Sequence, residues 1–119
     1  MAYKLIVTGA RNFHNYNIVK QEVDRLSLQI EDLVEIVSGG TNGTDKIGRR
    51  YAFRHMIDNH IIKADWKNDG DHADVIRDKK MVEYADGAVV FWNDTSEGTQ
   101  QLINEAKKAG IKVWLKYVG

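Results

Sequence analysis

The sequence predicts one α/β domain, a doubly wound, mostly parallel five-stranded sheet with helices on both faces. Apolar strand-like runs alternate with helix-like periodicities along the whole chain. Most strand-like runs end in a polar loop, often bearing glycine, before the next helical pattern. No linker, repeat or low-complexity segment interrupts this order, so the domain is expected to occupy residues 1–119.

Taken in order, Leu5-Ile6-Val7 is a short apolar run closing on Thr8-Gly9, a first strand. Val19, Val23, Leu26, Ile30 and Leu33 recur at spacings of four and three, one face of a helix. Leu33 to Ser38 (LVEIVS) reads as a second strand. After a glycine-rich turn, Ile47, Tyr51 and Ala52 form an apolar stripe on a second helix, and Gly48 permits close approach to the sheet. His60 to Ala64 (HIIKA) is a third strand. The segment DGDHADVIRDKKMVEYA is a further helix, with Asp71 the expected N-cap. Gly87 to Trp92 (GAVVFW) is the most continuous apolar run, as for a strand covered on both faces. Leu102, Ile103, Ala106 and Ala109 mark a last helix, with Lys107 and Lys108 at its negative dipole end and Gly110 as a stop. In IKVWLKYV, Lys112 and Lys116 fall between apolar residues, which suits a half-exposed edge strand.

Composition excludes several classes of function. Lys plus Arg and Asp plus Glu both number 17, so formal net charge is zero and no global basic excess favours nucleic acid or a membrane surface. Without cysteine there is no disulfide, thiolate metal site or cysteine nucleophile. No apolar stretch approaches the roughly 18 residues that span a bilayer, and the N-terminal apolar run is too short for a signal peptide. A soluble, cytoplasmic protein is expected, with no membrane partner and no cofactor.

In a doubly wound sheet, ligands bind beyond the carboxyl ends of the strands. The loops at that edge therefore carry the candidates. In SGGTNGTD, Gly39, Gly40, Thr41, Gly43, Thr44 and Asp45 match neither the G-x-x-x-x-G-K-[ST] nor the G-x-G-x-x-G spacing. Glycines still let backbone amides approach an anion, and the following helix offers a positive dipole end. Local sequence alone leaves this turn open between a phosphate cradle and a plain turn capped by Thr44 or Asp45. NDTSEGTQQ is a second such turn, where Asn93, Ser96, Gly98 and Thr99 supply hydrogen-bonding groups. The first loop, Thr8-Gly9-Ala10-Arg11, adds a guanidinium suited to phosphate or carboxylate.

Other features carry less. A calcium loop beginning at Asp65 fails, because Lys67 holds a ligand position and Ile76 stands where the bidentate Glu belongs. His14, His55, His60 and His72 lack ligand spacing, so no metal is expected. Arg49, Arg50, Arg54 and His55 form a basic cluster on the second helix, readable as a solvated face or as a partner or nucleic-acid surface.

Together, VTGAR (Val7 to Arg11), SGGTNGTD (Ser38 to Asp45), ADW (Ala64 to Trp66), IRDKKM (Ile76 to Met81) and EGT (Glu97 to Thr99) make the chain resemble the SLOG superfamily, specifically its YspA-like (cpYpsA-related) group. More distantly, it is similar to the lonely-guy phosphoribohydrolases and the Rossmann domain of DNA-processing protein A. The resemblance implies a Rossmann-like domain with a phosphate-binding glycine loop, holding a nucleotide or an ADP-ribose- or NAD-like ligand as a sensor or sequestering module. It implies that Arg77 of the R-x-x-x-M motif faces the pocket, and Trp66 is a candidate for stacking on a base. Asp78 departs from the Asn common at its position. In the hydrolases, P-G-G-x-G-T-x-x-E ends in a working Glu, and here that position is Leu102. Asp45 and Glu97 are then the candidate catalytic carboxylates for the alternative reading, an N-glycoside hydrolase of nucleoside 5′-monophosphates. Single-stranded nucleic-acid binding through the Arg49, Arg50 and Arg54 cluster is a further alternative, although nucleic acid is not among the expected partners. A homodimer is expected by family analogy.

Overall fold

The alternation of side chains along the strands builds two apolar layers. The computed structural model describes residues 2–94 and 97–119, and of Glu97 the backbone alone. Its strands are β1 (Tyr3–Gly9), β2 (Leu33–Ser38), β3 (Asp58–Ile61), β4 (Gly87–Trp92) and β5 (Lys112–Tyr117). Its helices are α1 (Tyr16–Ser27), α2 (Thr44–Arg54), α3 (Trp66–Asp69), α4 (Ala73–Tyr84) and α5 (Glu97–Ala109), with a 3-10 turn at Gly70–His72 between α3 and α4. The sheet runs β3-β2-β1-β4-β5, and every pairing is parallel. The order is that of a Rossmann-like sheet, whose crossovers reverse direction between β1 and β4.

Leu5 and Val7 point to one face, where they pack with Val19, Val23 and Leu26 of α1 and Ile47 and Tyr51 of α2. Ile6 points to the other, against Met81 and Val82 of α4 and Leu102, Ile103 and Ala106 of α5. One residue's shift in register would exchange these two sets, so burial on both faces fixes the pairing. Gly48 brings α2 onto β1, since a Cβ there would lie 3.0 Å from Val7 Cβ. β5 is an edge strand, as its lysines predict, and β3 is the opposite edge. No helix among the described residues is long and apolar enough to cross a membrane.

Three element boundaries differ from the sequence expectation. The first helix stops at Ser27, and Asp32 takes a left-handed φ of 57°. Ile30 is buried from the turn beyond the helix, while Leu33 pairs with Tyr3 at the start of β2. The third strand lies at Asp58–Ile61 rather than His60 to Ala64, because its ladder follows β2 from Glu35 and ends with Ser38. Asp71 does not cap α4: it sits in the 3-10 turn, α4 begins after His72, and the capping aspartate is Asp65, which accepts from Asn68 N at 3.2 Å to start α3.

Candidate functional site

At the switch point the end of β1 stays tied to β4, Ala10 N donating to Phe91 O at 2.8 Å. Gly9 is required there, since a Cβ would collide with the Phe91 carbonyl. The glycine turn after β2 closes against the same loop. Thr44 donates from both N (3.1 Å) and Oγ1 (3.0 Å) to Ala10 O. Gly43, with φ 73°, packs so tightly on Ala10 and Arg11 that a side chain would strike their carbonyls.

The centre of this arrangement is Asp45, 1% exposed in the first turn of α2. Its Oδ1 accepts from Thr8 Oγ1 at 2.5 Å. Its Oδ2 accepts from the amides of Gly39 at 3.0 Å and Thr41 at 3.4 Å. The turn thus folds its own carboxylate into the place where an anion would meet those amides. The helix dipole favours that negative charge, and amide donors to a carboxylate are charge-assisted.

Across the crevice, α4 presents Arg77 and Asp78. Arg77 Nε donates to Asp78 Oδ1 at 3.0 Å, with side-chain exposures of 12% and 5%. Gln101 Nε2 of α5 donates to Asp78 Oδ2 at 3.0 Å, joining the two helices. Burial raises the Asp78 carboxyl above its ordinary range; the Arg77 charge and the bonds from Arg77 and Gln101 act against that, and Asp74 adds to it. Asp78 in turn orients the guanidinium. Arg77 Nη1 and Asp45 Oδ2 lie 3.2 and 3.1 Å from the point a Gly39 Cβ would occupy, so Gly39 makes room for both.

These groups enclose a cavity of about 470 Å³, within the range of small-molecule sites. Of the sequence candidates, Thr8, Gly9, Arg11, Gly39, Thr41, Asp45, Arg77, Gly98 and Thr99 line it. Gly40, Gly43 and Thr44 do not. Gly40 instead faces Ile61 of β3, where a Cβ would come within 2.9 Å of Cγ2. Trp66 is 56% exposed on α3 and Asn93 is half-buried, and neither is among the lining residues. Ser96 and the side chain of Glu97 lie outside the described residues.

The cavity wall also contains Ala10, Asn12, Asp78, Met81 and Leu102, which sequence reasoning did not assign as binding residues. Helical spacing carries a signal for two of them. Met81 is four residues beyond Arg77, and Leu102 is three beyond Thr99, so each shares a helix face with an identified residue. Leu102 is 3% exposed. The wall therefore has an aliphatic surface where the hydrolase motif has a carboxylate, and the carboxylates Asp45 and Asp78 at other points.

A model of the family described as YspA, cpYpsA-related SLOG family matches residues 3–68. The chain is 32% identical over 117 residues to the Gene 61 protein of Mycobacterium phage D29, covering 92% of this chain and 93% of that protein. No solved structure matches the chain.

Proposed function

Since the chain belongs to the YspA, cpYpsA-related SLOG family, we propose that it is a binding module for a nucleotide or nucleotide-derived ligand of the ADP-ribose type. Family membership points to nucleotide-related binding or processing. The observation that carries the finer reading is the cavity at the switch point, where a buried acceptor, Asp45, faces a guanidinium, Arg77, held in place by Asp78.

In this reading the charges divide the ligand. The amides of Gly39 and Thr41 already serve Asp45. Phosphate goes instead to Arg77, Arg11 and the first turn of α5 at Gly98 and Thr99, whose dipole end favours an anion. Asp45, an acceptor, takes ribose hydroxyls and repels phosphate from the glycine turn. This reading assigns no role to Trp66, which is not among the lining residues.

A second reading, hydrolysis of the N-glycosidic bond, draws support from the buried carboxyl of Asp78 on the cavity wall. Leu102 weighs against it, because oxocarbenium-like charge needs a carboxylate nearby. The test measures melting temperature and calorimetric affinity with AMP, ADP-ribose and NAD, alongside chromatography for released base. The expected result is saturable stabilisation, weakened about tenfold or more by Arg77→Gln, with no base released. Absence of any shift at millimolar ligand would sink the binding reading. Base release abolished by Asp45→Asn or Asp78→Asn would replace it with the hydrolase.

A further inference from the structure

The outward face of α2 belongs to no part of the cavity. Lys46, Arg49, Arg50, Phe53 and Arg54 follow the spacing of a single helical stripe, opposite the buried Thr44, Ile47, Gly48, Tyr51 and Ala52. Among the described residues none of these four cations forms an ion pair, whereas Lys20 and Arg25 of the neighbouring α1 pair with Asp24 and Glu22. The helix's only acid, Asp45, is buried and engaged. A chain of zero net charge therefore carries a local excess of four positive charges on one face.

Two further features distinguish this face from a solvated run of charge. The guanidinium carbons of Arg50 and Arg54 lie 4.9 and 4.6 Å from the centroid of the Tyr16 ring. Stacking of that kind holds the guanidiniums in place and lowers the entropy lost when they bind. Between the arginines stands Phe53, 85% exposed. An aromatic ring left in water amid unpaired arginines is the combination on which successive bases stack while cations follow the backbone.

We propose that this face binds single-stranded nucleic acid, independently of the nucleotide cavity. From Lys46 to Arg54 the stripe is about 12 Å long, a span of three or four phosphates of one strand at about 3.4 Å each. An acidic protein surface is the competing occupant, and the dependence of binding on Phe53 with a polyanion that has no bases separates the two. Neutralising three or four phosphates gives log affinity a slope of roughly −2 to −3 against log salt.

The experiment is fluorescence anisotropy with a labelled 12-nucleotide oligothymidylate, from 20 to 200 mM NaCl. Affinity is expected to fall a hundredfold to a thousandfold across that range. Phe53→Ala, which removes an exposed ring, should weaken binding about tenfold. The triple variant Arg49→Gln, Arg50→Gln, Arg54→Gln should reduce binding to background; Arg49→Gln alone, which leaves the Tyr16 contacts intact, should reduce both affinity and salt slope. All variants should keep the thermal shift given by AMP or ADP-ribose. The inference is overturned if the oligonucleotide does not bind at 20 mM salt or if Phe53→Ala and Arg49→Gln bind as the parent does. It is also overturned if polyglutamate or vesicles of phosphatidylcholine and phosphatidylserine bind as tightly with the same dependence on Phe53. Loss of the nucleotide shift in these variants would likewise overturn it, by tracing the effect to the cavity.

Discussion

If Asp45 organises the glycine turn, its replacements should form a graded series whose steps follow from its hydrogen bonds. Asp45→Ala strips the acceptor from Thr8 Oγ1, Gly39 N and Thr41 N at a site 1% exposed. A buried donor left without a partner costs about 1–3 kcal/mol. The Gly39 bond is buried and should contribute fully, while the 3.4 Å bond from Thr41 is long and weak. The expected loss is about 3–4 kcal/mol, a large fraction of a small domain's stability. In Asp45→Asn, the amide oxygen can still accept from Gly39 and Thr41, and the amide nitrogen can donate to the Thr8 hydroxyl, which also accepts. What disappears is the charge assistance and the favourable dipole interaction, together about 1–2 kcal/mol. Thr8→Val, losing one bond to a charged acceptor, should also cost about 1–2 kcal/mol. Urea denaturation at neutral pH measures all three, provided the m values agree. Equal losses for Ala and Asn, or an Asp45→Ala protein within about 0.5 kcal/mol of the parent, would refute the anchoring role.

Other expectations test neighbouring parts. The raised Asp78 carboxyl takes up its proton at higher pH in the folded chain than in the unfolded one. Its contribution is therefore full below about pH 4 and is lost as pH rises through the raised value. Asp78→Asn removes that component, so the urea midpoint of the variant should decline less than the parent's on going from pH 4 to 7. Parallel profiles would show that Asp78 does not titrate as its burial implies. At Gly98 a Cβ meets no described atom within 4 Å, so Gly98→Ala should leave stability unchanged or raise it by up to about 1 kcal/mol. It should weaken nucleotide binding measured by calorimetry, and undiminished affinity would place the ligand away from α5. Gly48→Ala gains about 1 kcal/mol of helix propensity, yet its Cβ would press on Val7 at 3.0 Å. Overpacking costs about 1–3 kcal/mol, so the melting temperature should fall despite the better helix former.

The parts legible in sequence are those where local pattern and burial agree. Gly87 to Trp92 declares itself because a run with both faces covered has no polar residue to interrupt it, and its five leading residues are buried. β3 was misplaced because its residues, Asp58 to His60, are exposed and polar; only the ladder to β2 makes them a strand. The more apolar Ile61 and Ile62 draw the sequence assignment two residues too far at its start and three at its end. Trp66, a candidate only through the ADW motif, begins a separate short helix capped by Asp65. In the site, the glycine turn was visible but its internal partner was not. Whether a carboxylate in such a turn points outward or back at its own amides depends on the β1 loop, contributed from 37 positions earlier by Thr8. Asp78 and Met81 were hidden differently: each stood within a quoted motif, but only the packing of α4 against α5 through Gln101 brings Asp78 to the wall.

That internal partner alters what the glycine turn can recognise. A turn with free amides selects for phosphate, whichever sugar carries it. A turn whose amides hold a carboxylate presents acceptors, and acceptors select for hydroxyls. With Arg77 across the crevice, the proposed ligand is recognised through two unlike groups, a phosphate and a ribose hydroxyl. Inorganic phosphate satisfies only one of them and a free nucleoside only the other. A deoxyribose analogue leaves Asp45 without the group it would hold, and a polar site left unpaired rejects such an analogue more strongly than an apolar pocket rejects a missing methylene. If the proposed reading holds, discrimination between ribose and deoxyribose forms of one nucleotide should depend on Asp45, and the affinity common to both on Arg77.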